Sequence, residues 1–205
     1  MDDTDLRQQI VSLARSLFDR GYSVGSAGNI SVRTEGGFLM TPTDSSLGRL
    51  DADRLAVLDA DFNHVGGDRP SKEVPMHRAV YEARPDCAAV VHLHSTHVTA
   101  LSCLWQPGVP LIDPLTPYFV MRVGRDVPVV PYFRPGTADA VGEIREAARQ
   151  APAVVLAHHG SLVAGRSLVA AVNAAEELEV TAQLQLMLRG ANPRTLTEPQ
   201  VAELL

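Results

Sequence analysis

The apolar run Cys87-Ala88-Ala89-Val90-Val91 ends in His92-Leu93-His94, and no other segment constrains the fold as much. A short apolar run of this kind reads as a buried strand. On a strand alternate side chains share a face, so His92 and His94 point one way while Val91 and Leu93 point the other. Two imidazoles therefore converge without a loop to arrange them. A second apolar run, Ala153 to Ala157, ends in His158-His159-Gly160, where the glycine would let the backbone turn just behind a ligand. Three imidazoles at strand ends have the composition of a divalent-metal site, and zinc held by three protein ligands keeps a position open for substrate. A lone His-x-His is equally a polar sheet edge; the third histidine and the residues described below shift the balance toward a metal.

With 205 residues, 45% of them hydrophobic, the chain can bury one substantial core, and one domain over 1–205 is expected. The net charge of -6 with scattered Lys and Arg argues against a nucleic-acid surface, because phosphate-backbone binding needs a clustered positive field. Small anions stay open as substrates, since a local pocket can oppose the global charge. Cys87 and Cys103 do not make a disulfide framework, and Met1-Asp2-Asp3 starts on acid rather than on a basic region followed by an apolar one. The apolar runs are too short to cross a bilayer. These features point to a cytoplasmic enzyme with neither nucleic acid nor membrane as partner.

Leu6, Ile10, Leu13 and Leu17 fall at helical spacing, closed by Gly21. Gly28 to Arg33, Glu35-Gly36-Gly37 and Phe38 to Thr41 read as a hairpin. A strand is expected at Leu55 to Leu58, then turns from Asp59 to Pro70, then a helix from Ser71 to about Arg84 with Pro75 in its first turns. Ser95 or Thr96 is placed to cap a helix through Leu104, and short strands are expected near Leu111 and at Val127 to Val130. Helices at Thr137 to Gln150 and Leu168 to Arg189 complete a mixed sheet between helices.

Ser26-Ala27-Gly28-Asn29-Ile30-Ser31, Thr41-Pro42-Thr43, Ser71-Lys72-Glu73, Val91 to Ser95 and Leu156 to Gly160 together resemble the class II aldolase/adducin family of zinc-dependent sugar-phosphate enzymes. The segments occur in family order over most of the chain. The resemblance implies a three-layer α/β/α domain with a mixed, largely antiparallel central sheet, and active sites at subunit interfaces, usually in a homotetramer. It implies His92, His94 and His159 as ligands of Zn²⁺ or another divalent metal, and Glu73 as the catalytic carboxylate, able to touch the metal before substrate arrives. Of the adjacent pair, His159 is chosen because glycine follows it; His158 is read as supporting. His64 (in a turn), His77 and His97 (in helices) are read as solvated or hydrogen-bonded histidines. Gly28, Asn29, Thr43, Ser71 and Lys72 form the implied phosphate pocket, although Gly-Asn and Thr-Pro-Thr are also ordinary turn sequences. Lys72 stands where many aldolases have a small hydroxyl residue, which suggests a more anionic substrate.

Leu115 to Met121, Pro131 to Gly136 and Glu176-Glu177-Leu178-Glu179 look closest to the branch that decarboxylates 3-oxo-tetronate 4-phosphates. What that likeness implies is loss of CO2 through a metal-stabilised enediolate to give dihydroxyacetone phosphate, with Glu73 managing the protonation. Tyr118 and Tyr132 are expected either to reach a neighbouring site or to pack in the core, and the three glutamates to form a solvated helix face with interface contacts. The competing readings are a sugar-phosphate aldolase of the fuculose-phosphate type and a non-catalytic adducin-like interaction module.

Overall fold

A computed structural model describes residues 3–135, 137 and 139–205. Met1, Asp2 and Gly136, which entered the sequence reading, lie outside them. The first helix, α1 (Asp3–Asp19), buries Ile10, Ala14 and Leu17, and is followed by the hairpin β1 (Asn29–Thr34) and β2 (Gly37–Met40). Then come β3 (Ala56–Asp59), β4 (His64–Gly66), α2 (Val74–Ala83), β5 (Ala89–Leu93) and α3 (Thr96–Leu104). The second half carries α4 (Pro117–Arg122), β6 (Val129–Val130), α5 (Val141–Gln150), β7 (Ala153–Leu156), β8 (Gly160–Gly165), α6 (Leu168–Met187) and α7 (Glu198–Ala202).

Among the described residues eight strands join one sheet in the order β4-β3-β2-β1-β5-β8-β7-β6, and only the β6–β7 pair is parallel. Because side chains alternate along a strand, the sheet feeds two cores. Ile30, Val32, Val91 and Leu93 pack with α1, α3, α4 and α6; Phe38, Met40, Val90 and Leu156 pack with α2 and α5. This is the three-layer α/β arrangement that the sequence led us to expect.

Several elements differ from expectation. No strand forms near Leu111, whose side chain is nevertheless buried. The turn-rich stretch after Asp59 contains β4, so His64 lies on an edge strand, its Nε2 facing the carbonyl of Gly66 at 2.9 Å. The helix expected from Ser71 starts three residues later, because Ser71 to Glu73 turn first, and α5 starts at Val141 rather than Thr137. A strand β8 that mirrors β7 across a tight hairpin and the short α4 had no period strong enough to be seen in the sequence. No described helix is long and apolar enough to cross a membrane.

Candidate metal centre and anion cleft

Three adjacent strands in the middle of the sheet, β1, β5 and β8, deliver the site at their ends. Antiparallel pairing sets Asn29, at the start of β1, opposite His92 near the end of β5. On the other side of β5, Leu93 pairs with Ser161 of β8, which brings the β7–β8 turn, and His159 with it, beside the same strand end. The turn bends at His158, whose φ is +60°, and not at the glycine. Gly160 is required for another reason: a Cβ there would overlap the Leu93 carbonyl, so glycine lets the two strands close up behind the ligands. Gly28 is held at φ +78°, and a Cβ there would come within 2.8 Å of the His92 carbonyl oxygen.

One ligand atom each from Glu73, His92, His94 and His159 lies within 4.8 Å of all the others. The hydrogen bonds show what these atoms offer. His92 Nδ1 lies 2.8 Å from the Ser161 carbonyl, which can only accept, so Nδ1 carries the proton and Nε2 of the neutral ring presents a lone pair. That lone pair lies 2.8 Å from His94 Nε2 and 3.3 Å from Glu73 Oε2. Burial disfavours charge on both rings; it brings His92 down to about 4 and lowers His94 as well, so neither is cationic near neutrality. A neutral nitrogen lone pair set 3.3 Å from a carboxylate oxygen, as His92 Nε2 is from Glu73 Oε2, repels it unless a cation lies between them. The donor set, three imidazoles and one carboxylate, fits Zn²⁺ and has the histidine-rich chemistry of open catalytic sites. His92 has the carbonyl partner that orients a metal-bound ring, whereas His159 Nδ1 is buried with no partner among the described residues.

Glu73 sits at the N-terminal boundary of α2, but its carboxylate does not cap that helix. It turns to the site instead, accepting from Asn29 Nδ2 at 2.6 Å and lying 3.5 Å from His159 Nε2. Burial alone would raise its pKa; the contact with His159, the neighbouring His92 and the Asn29 donor outweigh that and hold the carboxyl far below its ordinary value.

Next to the histidine cluster opens a cleft that gathers Gly28, Asn29, Thr43, Ser71, Lys72, Glu73 and His94. Thr43 and Ser71 are tied to the neighbouring chain, the Thr43 N–H donating to Arg69 O at 2.9 Å and the Ser71 N–H to Thr41 O at 3.3 Å. Lys72 is exposed at the rim. Asn29 lines the cleft with its side chain buried and bonded to Glu73 and His77. Asp44, with φ +54°, also lines the cleft and was missed by the sequence reading.

Other residues also fall differently. Tyr118 and Tyr132 are exposed rather than packed in the core, and His158 is exposed with its ring centroid 6.3 Å from that of Tyr132. Glu176 pairs with Arg20. Glu179 is not a solvated face residue: it is 7% exposed and accepts from the His97 and Val98 amides, both at 2.9 Å, at the start of α3. His97 Nδ1 lies 2.7 Å from the same carboxylate.

Sheet order, helix layers and a cluster of three histidines and one carboxylate at a strand-end cleft define a class of metal-site α/β/α proteins. The chain belongs to the family described as Class II Aldolase and Adducin N-terminal domain, which matches residues 8–186. It is 50% identical to the 3-oxo-tetronate 4-phosphate decarboxylase of Haemophilus influenzae, over 98% of this chain and 97% of that one. Its identity to an L-fuculose phosphate aldolase of Escherichia coli is 35%, over 91% and 85%. Among solved structures, YgbL of Klebsiella pneumoniae superposes with a TM-score of 0.95 at 48% identity over 100% of both chains.

Proposed function

We propose that this chain decarboxylates 3-oxo-tetronate 4-phosphate to dihydroxyacetone phosphate and CO2. The observation that carries this reading is the open cluster of His92, His94, His159 and Glu73 beside a cleft with Lys72 at its rim. The greater identity to curated decarboxylases than to fuculose-phosphate aldolases supports it over the aldolase. An adducin-like interaction module has no use for a complete donor set.

In such a substrate the C3 ketone is β to the carboxylate. The C1–C2 bond breaks, its electron pair moves into a C2–C3 double bond, and the ketone oxygen takes up the negative charge. Zn²⁺ held by His92, His94 and His159 would supply positive charge for that oxygen. Gly28, Thr43, Ser71 and Lys72 hold the phosphate and so fix the angle of the breaking bond. Lys72 adds the charge on the phosphate side. Glu73 relays a proton from water to C2, which completes dihydroxyacetone phosphate. A homotetramer is proposed on the resemblance, with the exposed Tyr118 and Tyr132 available to subunit contacts. The span 1–205 is taken to act as one domain. Free thiols at Cys87 and Cys103 suit the reducing cytoplasm.

The test is to offer both C2 epimers of the keto-acid phosphate to the zinc-loaded protein and to follow CO2 and aldehyde separately. Stoichiometric CO2 and dihydroxyacetone phosphate, lost on chelation and restored by Zn²⁺, are expected. Aldehyde release from a sugar phosphate without CO2 would give the site to the aldolase reading instead.

A further inference from the structure

Behind the Glu73 carboxylate runs a buried polar chain. Asn29 Nδ2 donates to Glu73 Oε2 at 2.6 Å, Asn29 Oδ1 lies 2.6 Å from His77 Nε2, and His77 Nδ1 lies 2.7 Å from Ser31 Oγ. The Tyr81 hydroxyl donates to the Ser31 carbonyl at 3.0 Å and lies 3.0 Å from Ser31 Oγ. Two periods build this arrangement. Asn29 and Ser31 are two apart on β1 and share a face, while Glu73, His77 and Tyr81 are four apart along α2 and share another.

The donors and acceptors allow one assignment. A carboxylate only accepts, so the Asn29 amide nitrogen must face Glu73 and its oxygen must face His77. That oxygen also only accepts, so His77 carries its proton on Nε2, leaving Nδ1 to accept from Ser31. Flipping the Asn29 amide would set its oxygen against the Glu73 carboxylate and its NH2 against the His77 N–H. The ring thus fixes which end of Asn29 meets Glu73, from a position 1% exposed and outside the cluster of ligand atoms.

We propose that His77 is a positioning residue for Glu73, acting through Asn29 to hold the carboxylate toward the metal ligands and the cleft. The inference rests on the decarboxylase reading for its effect on turnover, but not for its effect on metal binding. Loss of a supporting partner of this kind costs roughly 10–100-fold in metal affinity or activity.

The test compares His77→Gln, whose amide can reach Asn29 from the Nε2 side, with His77→Asn, whose shorter amide stays on the Ser31 side, and with His77→Phe. Each is combined with Asn29→Ala, and each is measured for Co²⁺ dissociation constant without substrate and for kcat and KM with zinc. Phe and Asn are expected to weaken Co²⁺ binding and lower kcat by roughly tenfold or more, with KM little changed, and Gln to recover most of the loss. In the Asn29→Ala background the same changes should cost almost nothing further. Additive losses, equal losses in Gln and Asn, or wild-type behaviour in both would overturn the proposal. Should Phe fail to fold, the Gln and Asn pair decides alone. If the wild type releases no CO2 while the Co²⁺ coupling holds, the decarboxylase reading falls and the role of His77 stands.

Discussion

At the scale of single residues, Glu73 is held by two different demands. Its carboxylate is kept anionic by its partners, yet the proposed mechanism asks it for a proton, so in that mechanism it gains one during turnover or relays one from water. Glu73→Gln keeps the size and one acceptor oxygen while removing the titratable group. Assayed at saturating zinc, product formation should slow by roughly 10²–10⁴-fold with circular dichroism unchanged, and stopped-flow detection should show CO2 release outrunning ketone formation. For the metal, the His92 lone pair set against the Glu73 carboxylate makes a sharper case than the residue types alone. His94→Ala should lose most bound zinc in metal analysis, and equal retention would remove the ion from this cluster. Lys72, exposed at the cleft rim, is expected to act on binding alone. Lys72→Ala should raise KM for the phosphorylated keto acid by roughly 10–100-fold, the worth of one charge-assisted contact, and leave the unphosphorylated analogue unaffected.

At the scale of elements, what the sequence made legible was set by period and punctuation. The hairpin β1–β2, the strand β5 and the long α6 follow strong patterns and form close to where those patterns put them. The strand β8 did not show itself, because Gly160-Ser161-Leu162-Val163-Ala164-Gly165 has no polar alternation when both faces are covered. The donor residues were readable because metal ligands must be His, Cys, Asp or Glu; their support was not, because it joins segments far apart in sequence. The pair Asn29 and Ser31, and the spaced trio Glu73, His77 and Tyr81, are each unremarkable until β1 and α2 meet. The same holds for Glu179, 82 residues from His97, whose carboxylate takes the place of the missing Ser95 side-chain cap on α3. Glu179→Ala leaves two first-turn amides without that acceptor and should cost about 1–2 kcal/mol. The melting temperature would fall by roughly 2–4 °C per kcal/mol, and because α3 begins just after His94, zinc affinity should weaken too. A drop in stability with zinc affinity untouched would separate the cap from the site.

At the scale of the whole molecule, the buried histidines tie folding to pH. His77 and His92 are fully enclosed and held neutral, burial bringing them down to about 3 and about 4, against about 6.5 for an unfolded histidine. Between those values the unfolded chain binds protons that the native chain refuses, so stability rises with pH across this window. Their contribution is therefore complete above about pH 6.5 and is drawn down as the pH falls toward 4. Each histidine sets a slope of up to about 1.4 kcal/mol per pH unit inside the window. Zinc would steepen acid sensitivity further by competing with protons for the same nitrogens, so the measurement belongs on chelated protein. Urea unfolding of that form at pH 7, 6 and 5 should show a falling midpoint with a constant m-value, and His77→Phe should make the fall shallower whatever its own stability at pH 7. If the variant keeps the full slope, His77 is not among the groups that titrate on unfolding, and the acid sensitivity belongs to the metal ligands alone.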